Sequence, residues 1–98
     1  MKIKAKRESI KFDYEFPDGT TVGFEYVEPT SEMIDEGLEI DDGDTKAKLD
    51  YVKRVFRECI RGDEELKEKM IDDLMRNGNI YETKAALDEA LGKHKAKK

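Results

Sequence analysis

The clearest structural signal in the chain is the stretch FDYEFPDGTTVGFEY, residues 12–26. Apolar and polar residues alternate before a Pro-Asp-Gly and alternate again after it, which is the pattern of two half-buried strands. Pro17 presets the φ angle of a type I turn, Asp18 suits the following position, and Gly19 can take the left-handed conformation that comes next. The stretch therefore predicts a β-hairpin with a three-residue loop and a glycine bulge.

The length of the loop sets the register of the hairpin. A two-residue loop would pair Tyr14 with Gly23 and divide the apolar side chains between two faces, because a slip of one residue reverses every side chain. A three-residue loop instead places every large apolar side chain of residues 10–26 on one face and leaves the other face polar. The predicted opposing pairs are Ile10–Tyr26, Phe12–Phe24, Tyr14–Val22 and Phe16–Thr20.

The apolar face of the hairpin needs a cover, since an isolated hairpin is marginally stable in water. Pro29 ends the second strand, and after it apolar residues recur at the three- and four-residue spacing of amphipathic helices. Glycines mark the predicted C-terminal ends of the last three helices, at Gly62, Gly78 and Gly92. The predicted helices cover about residues 31–39, 45–61, 63–77 and 79–91.

Together these elements predict an α+β fold in which an N-terminal antiparallel β-hairpin packs against a small bundle of three to four helices. The length of 98 residues fits one domain. We expect residues 1–92 to form a single α+β domain and residues 93–98, with four lysines, to form a frayed basic C-terminal tail.

The charge distribution bounds the classes of partner. Residues 1–11 and 93–98 each carry a net charge of +4, so residues 12–92 carry −13 within a total of −5. Such an acidic body repels phosphate and disfavours nucleic-acid binding. No apolar run is long enough for a membrane span, and the polar start resembles no signal peptide. With Cys59 as the single cysteine, we expect a cytoplasmic protein without membrane association.

Two acidic patterns raise the question of a metal site. The loop at residues 41–44 suggests calcium, but Lys46 or Gly43 interrupts the ligand positions of a helix–loop–helix site in each register. Pro17-Asp18 followed by Glu25 is similar to a metal-dependent nuclease pattern, but Val27 stands where that chemistry needs a lysine. We therefore expect a solvated loop and a hairpin turn, and no metal site.

Residues that could act as nucleophiles or bases are sparse. His94, the single histidine, lies in the lysine-rich end, where we expect it to be solvated. Cys59 lies on the apolar stripe of a helix, a position typical of a small core residue. The glycines are scattered, so the chain has no phosphate-binding loop. We expect no enzymatic activity, no catalytic residue and no cofactor.

Two further patterns each allow a structural and a functional interpretation. Flexible apolar side chains could line a peptide groove, although core packing is the better interpretation of them; they are Met33, Met70, Met75 and Phe56. The two helices joined at Asn77-Gly78 could form a helix-turn-helix, but the polar side of the last helix is mainly acidic and poorly suited to DNA.

The order of elements is similar to that of a known family. A basic start, a one-faced β-hairpin, the segment Glu28-Pro29-Thr30 directly after the second strand and a small helical body resemble the tail assembly chaperones of tailed phages and prophages. The resemblance covers about residues 8–91. It implies a non-enzymatic assembly factor that binds tape-measure or tail-tube proteins, and some members of the family self-associate.

The partner-binding surface is predicted less closely than the fold. If the helices leave part of the sheet open, the rings that contact a protein partner are Phe12, Tyr14, Phe24 and Tyr26; if they cover it, the contact surface lies elsewhere. Sheet edges also offer a route to a homo-oligomer. The alternative function is a small cytoplasmic protein–protein adaptor or regulator, and a DNA-binding regulator fits the charge distribution less well.

Overall fold

The computed structural model describes residues 1–3 and 6–97 and has the predicted α+β class. A three-stranded antiparallel sheet, in the order β1-β2-β3, carries the helices on one face. The elements are β1 Ser9–Glu15, β2 Thr21–Val27, α1 Ser31–Leu38, α2 Thr45–Cys59, β3 Ile60–Arg61, α3 Glu64–Asn77 and α4 Ile80–Ala96.

The N-terminal hairpin has the predicted turn and register. Ile10 faces Tyr26, Phe12 faces Phe24 and Tyr14 faces Val22. Gly19 has φ 90°, and the Phe16 amide donates to the Thr20 carbonyl at 2.8 Å. The apolar face packs against the helices and contributes to one core with them. The agreement follows because the alternation and the turn residues specify the same register.

The third strand was not predicted. The expectation that the second helix, residues 45–61, continues to Arg61 is wrong. The chain leaves the helix at Ile60, which is extended and pairs with Tyr26 of β2. The buried Lys67 side chain binds the carbonyls of Arg57 and Ile60, at 2.8 and 3.1 Å, where α2 ends. These contacts give the two carbonyls the hydrogen bonds that backbone amides would supply if the helix continued for another turn.

Gly62, directly after β3, brings the backbone close to the sheet. A Cβ atom at this position would lie 2.6 Å from the Cδ1 atom of Phe24. The chain can therefore pass over the Phe24 ring only with glycine at residue 62.

The core contains the flexible apolar side chains singled out above. Met33, Met70 and Phe56 are buried, while Met75 is half-buried against the same cluster. Cys59 is fully buried, as expected of a core cysteine. These positions support core packing rather than a peptide groove for this set of residues.

The prediction that the last helix ends at Gly92 is wrong, because α4 continues to Ala96. Lys95 pairs with Glu28, and His94 Nε2 lies 3.4 Å from Glu8 Oε2, so the final turns are held by the region around β1 and β2. The Arg7 guanidinium also donates to the Glu28 carbonyl, at 2.7 and 2.9 Å. Residues 93–97 are therefore not a frayed tail; residue 98 lies outside the described part of the chain.

Candidate partner-binding site

The four rings proposed as partner contacts occupy two different environments. Phe24 and Tyr26 are buried, with exposed fractions of 4% and 0%, so they are core residues of the folded chain. Phe12 and Tyr14, on β1, are only half-buried. Their contact with a partner stays a prediction, whereas Phe24 and Tyr26 have almost no accessible surface for such a contact.

The two tyrosines of this group tie the sheet to the helices. The Tyr26 hydroxyl donates to Asp88 of α4 at 2.6 Å, and the Tyr14 hydroxyl donates to Asp73 of α3. Burial, together with the bonded carboxylate, raises the pKa of both phenols well above its usual value. Both hydroxyls therefore stay protonated donors over the physiological range, and their role is structural.

A different surface has the character of a binding site, namely a groove between α1 and α4. It has a volume of about 470 Å³. Two large apolar residues of α1 at this groove are exposed, Ile34 by 46% and Leu38 by 80%. The lining residues are Glu28, Pro29, Ile34, Gly37, Leu38, Tyr51, Lys84, Asp88, Leu91, Gly92 and Lys95. We call this feature the α1–α4 groove.

One wall of the α1–α4 groove is the short helix α1, which is held from beneath. Thr30 caps it by accepting from the Met33 amide at 3.2 Å, and the Met33 side chain is buried. The Tyr51 hydroxyl donates to the Met33 carbonyl at 2.6 Å. A Cβ at Gly37 would lie 2.7 Å from the Tyr51 ring, so glycine allows α1 to sit directly on this ring. Because Met33 takes the inward position, Ile34 and Leu38 remain outside.

The other wall is α4, whose charged side chains at the groove are already paired. Lys84 and Asp88 form an ion pair at 2.7 Å, and Lys95 binds Glu28. A hydrogen bond from the Lys95 side chain and another from the Glu8 amide lower the pKa of the Glu28 carboxyl group. A Cβ at Gly92 would meet no atom within 4 Å, so α4 is open at this point.

The composition of the α1–α4 groove decides which ligands it suits. Each of the two rim cations is matched by a carboxylate, so neither offers an unpaired charge to an anion. The surface of the groove is mainly apolar: Ile34 and Leu38 are exposed, Pro29 is half-buried, and the buried Leu91 also lines it. Such a groove suits the apolar side chains of another polypeptide better than it suits a phosphate or a sugar.

Sequence reasoning missed the α1–α4 groove because the spacing of Ile34 and Leu38 indicates a helix without saying which face is buried. The available signal was Met33, which lies about 100° around the helix from Ile34, so the sequence allows either Met33 or the pair Ile34 and Leu38 to take the most buried position. Gly37 and Gly92 give a second signal, because each leaves a helix without a side chain at the groove.

The residues considered above for catalysis or metal binding have structural surroundings. Burial raises the pKa of the Cys59 thiol, which disfavours the reactive thiolate. His94 is half-exposed beside Glu8. In the acidic loop, Asp44 caps α2 and Asp41 accepts from the Gly43 amide at 2.9 Å. Within residues 1–3 and 6–97, no group of three or more His, Cys, Asp or Glu side chains could hold a metal ion.

Comparisons with protein-family models, curated proteins and solved structures found no match to this chain. Among the helices of the described residues, none combines the length and apolar character that a membrane span requires.

Proposed function

We propose that this protein is a non-enzymatic assembly chaperone that binds an apolar segment of another protein in the α1–α4 groove. The observation that carries the proposal is the exposure of Leu38 and Ile34, by 80% and 46%, on a helix that is otherwise firmly docked. Exposed apolar groups that converge on a groove are typical of protein-binding surfaces.

The partner that we propose is a tape-measure or tail-tube protein of a tailed phage or prophage. The support is the resemblance in element order: a one-faced hairpin, Glu28-Pro29-Thr30 and then a small helical body. Tape-measure proteins are long and need help to stay in solution before the tube forms around them. A strongly charged chaperone with one apolar groove can mask an apolar segment of such a protein. This role places the protein in the cytoplasm.

The experiment is co-expression with fragments of a tape-measure protein of a tailed phage, with the soluble yield of each fragment as the readout. We expect the wild-type protein to raise the yield of at least one fragment and to co-purify with it. Leu38→Glu places a charge in the groove without disturbing the core, since Leu38 is 80% exposed. This variant should lose both effects while keeping its melting temperature.

A matched control is Tyr81→Glu, which changes another exposed apolar residue, 49% exposed, outside the groove. It should keep the activity of the wild-type protein. Failure of every fragment to gain solubility would overturn the choice of partner. Equal activity of the Leu38→Glu and wild-type proteins would overturn the choice of surface. A wild-type protein that binds only unrelated partners would favour the adaptor or regulator alternative.

A further inference from the structure

The outer edge of the sheet has a backbone that is ready to pair. β1 is an edge strand, with β2 on its inner side. At both ends of the β1–β2 ladder the bonded residues of β1 are even-numbered: Glu8 accepts from Glu28, and Phe16 donates to Thr20, each at 2.8 Å. Bonded and non-bonded pairs alternate along antiparallel strands. The odd-numbered residues of β1 therefore direct their amides and carbonyls outward.

The side chains of these outward-directed residues carry a charge pattern that complements itself. Lys11 and Asp13 are exposed, and within the described residues neither has an ion-pair partner. If two β1 strands pair antiparallel around a two-fold axis at Phe12, Lys11 of each copy lies opposite Asp13 of the other. Moving the register by two residues in one direction places Lys11 opposite Lys11. In the other direction Lys11 lies opposite Glu15, but Asp13 then lies opposite Asp13. The register centred on Phe12 is therefore the one of these three that forms two opposite-charge pairs without a like-charge pair.

The apolar side of β1 is consistent with the same register. Phe12 and Tyr14 are half-buried, while Phe24 and Tyr26 on the inner strand are buried. The rings of the edge strand β1 therefore keep accessible surface that the rings of β2 lack. Phe12 already stacks on Phe24 with ring centroids 5.8 Å apart. Pairing about Phe12 would bring the two Phe12 rings together and extend this stack across both copies.

We propose that the chain forms a homodimer by antiparallel pairing of β1 with β1 of a second copy, with the two-fold axis at Phe12. Odd-numbered residues exchange the backbone hydrogen bonds, two Lys11–Asp13 pairs form on the polar face, and the sheet becomes six-stranded. This surface is separate from the α1–α4 groove, so the dimer stands or falls independently of the proposed chaperone function.

The test uses charge reversal and sedimentation equilibrium of the whole chain. The wild-type protein should have twice the monomer mass of 11.3 kDa. Asp13→Lys alone and Lys11→Asp alone should each weaken dimerisation by about tenfold or more, because both Lys–Asp pairs become like-charge pairs. An equimolar mixture of the two variants should regain the dimer mass, since the heterodimer restores two opposite-charge pairs.

Controls separate pairing from folding and from net charge. Asp35→Lys makes the same charge change as Asp13→Lys at an exposed position of α1 and should leave the dimer intact. Circular dichroism melting checks Lys11→Asp, because Lys11 also faces Glu25 within the hairpin. If that variant unfolds, Lys11→Gln replaces it, because it removes both Lys11–Asp13 pairs without placing a carboxylate opposite Glu25, and it should also weaken dimerisation. A monomeric wild-type protein, a dimer indifferent to both reversals, or a failed rescue would overturn the proposal.

Discussion

Lys67 provides the sharpest test of how the fold is held together, because a charged side chain is buried where α2 ends. It is 3% exposed, and its ammonium group donates to the carbonyls of Arg57 and Ile60 and to the Glu64 carboxylate, at 2.8, 3.1 and 3.2 Å. We predict that Lys67→Met destabilises the protein. The methionine keeps the apolar stem but leaves two carbonyls of the α2–β3 junction without a donor.

The magnitude follows from those two carbonyls. A buried polar group left without its partner costs roughly 1–3 kcal/mol. The Ile60 carbonyl is buried and the Arg57 carbonyl is partly buried, so we expect a loss of about 2–4 kcal/mol in the free energy of unfolding. The favourable position of a cation at the C-terminus of α2 is lost as well.

Urea unfolding measures the effect, with the midpoint reduced and the denaturant slope unchanged. Hydrogen exchange should be faster at Ile60 and Arg61, whose strand is anchored through these carbonyls. Lys69→Met is the matched control, because Lys69 is exposed on the same helix and should change stability by less than about 0.5 kcal/mol. A Lys67→Met protein as stable as the wild type would refute the reasoning.

Two further predictions concern other parts of the fold. Gly37→Ala should destabilise the protein by about 1–3 kcal/mol, because the new Cβ would lie 2.7 Å from the Tyr51 ring. Gly92→Ala should instead stabilise α4 by up to about 1 kcal/mol, because its Cβ would meet no atom within 4 Å. Thermal melting of the two glycine variants checks both signs, and a stabilising Gly37→Ala would contradict the packing described for α1. Acid sensitivity should depend on Glu28, whose pKa is lowered chiefly by the bond from Lys95. The stability that Glu28 contributes is present above the pKa of this group in the unfolded chain and is lost as the pH falls through its pKa in the folded protein. Glu28→Gln should therefore flatten the acid side of a plot of unfolding free energy against pH. An unchanged plot would show that the bond from Lys95 adds no stability.

The hairpin was predictable because two independent local signals, the alternation and the Pro-Asp-Gly turn, specify the same register. The third strand was not, because Ile60 continues the apolar stripe of α2 and fits a helix as well as a strand. Its conformation depends on Tyr26, which is distant in sequence, and on Lys67, which lies on the next helix; both reach Ile60 only once the chain has folded.

The candidate site shows the same division between local and distant information. The spacing of Ile34 and Leu38 predicted a helix, but the Tyr51 ring beneath Gly37 determines which side of that helix is exposed. The end of α4 was predicted too early because glycine, here Gly92, commonly follows the last turn of a helix. The contacts of Lys95 and His94 with the segment before and after the hairpin extend the helix by another turn.

Arg7 and Lys95 both bind Glu28, which brings the start of the hairpin and the end of α4 together. The first residues of the sheet and the last turn of α4 lie side by side, so a short peptide can bridge them without crossing the surface. The order of the segments along the chain can then be permuted, with new ends cut at the exposed tip around Asp18, while the packing stays the same.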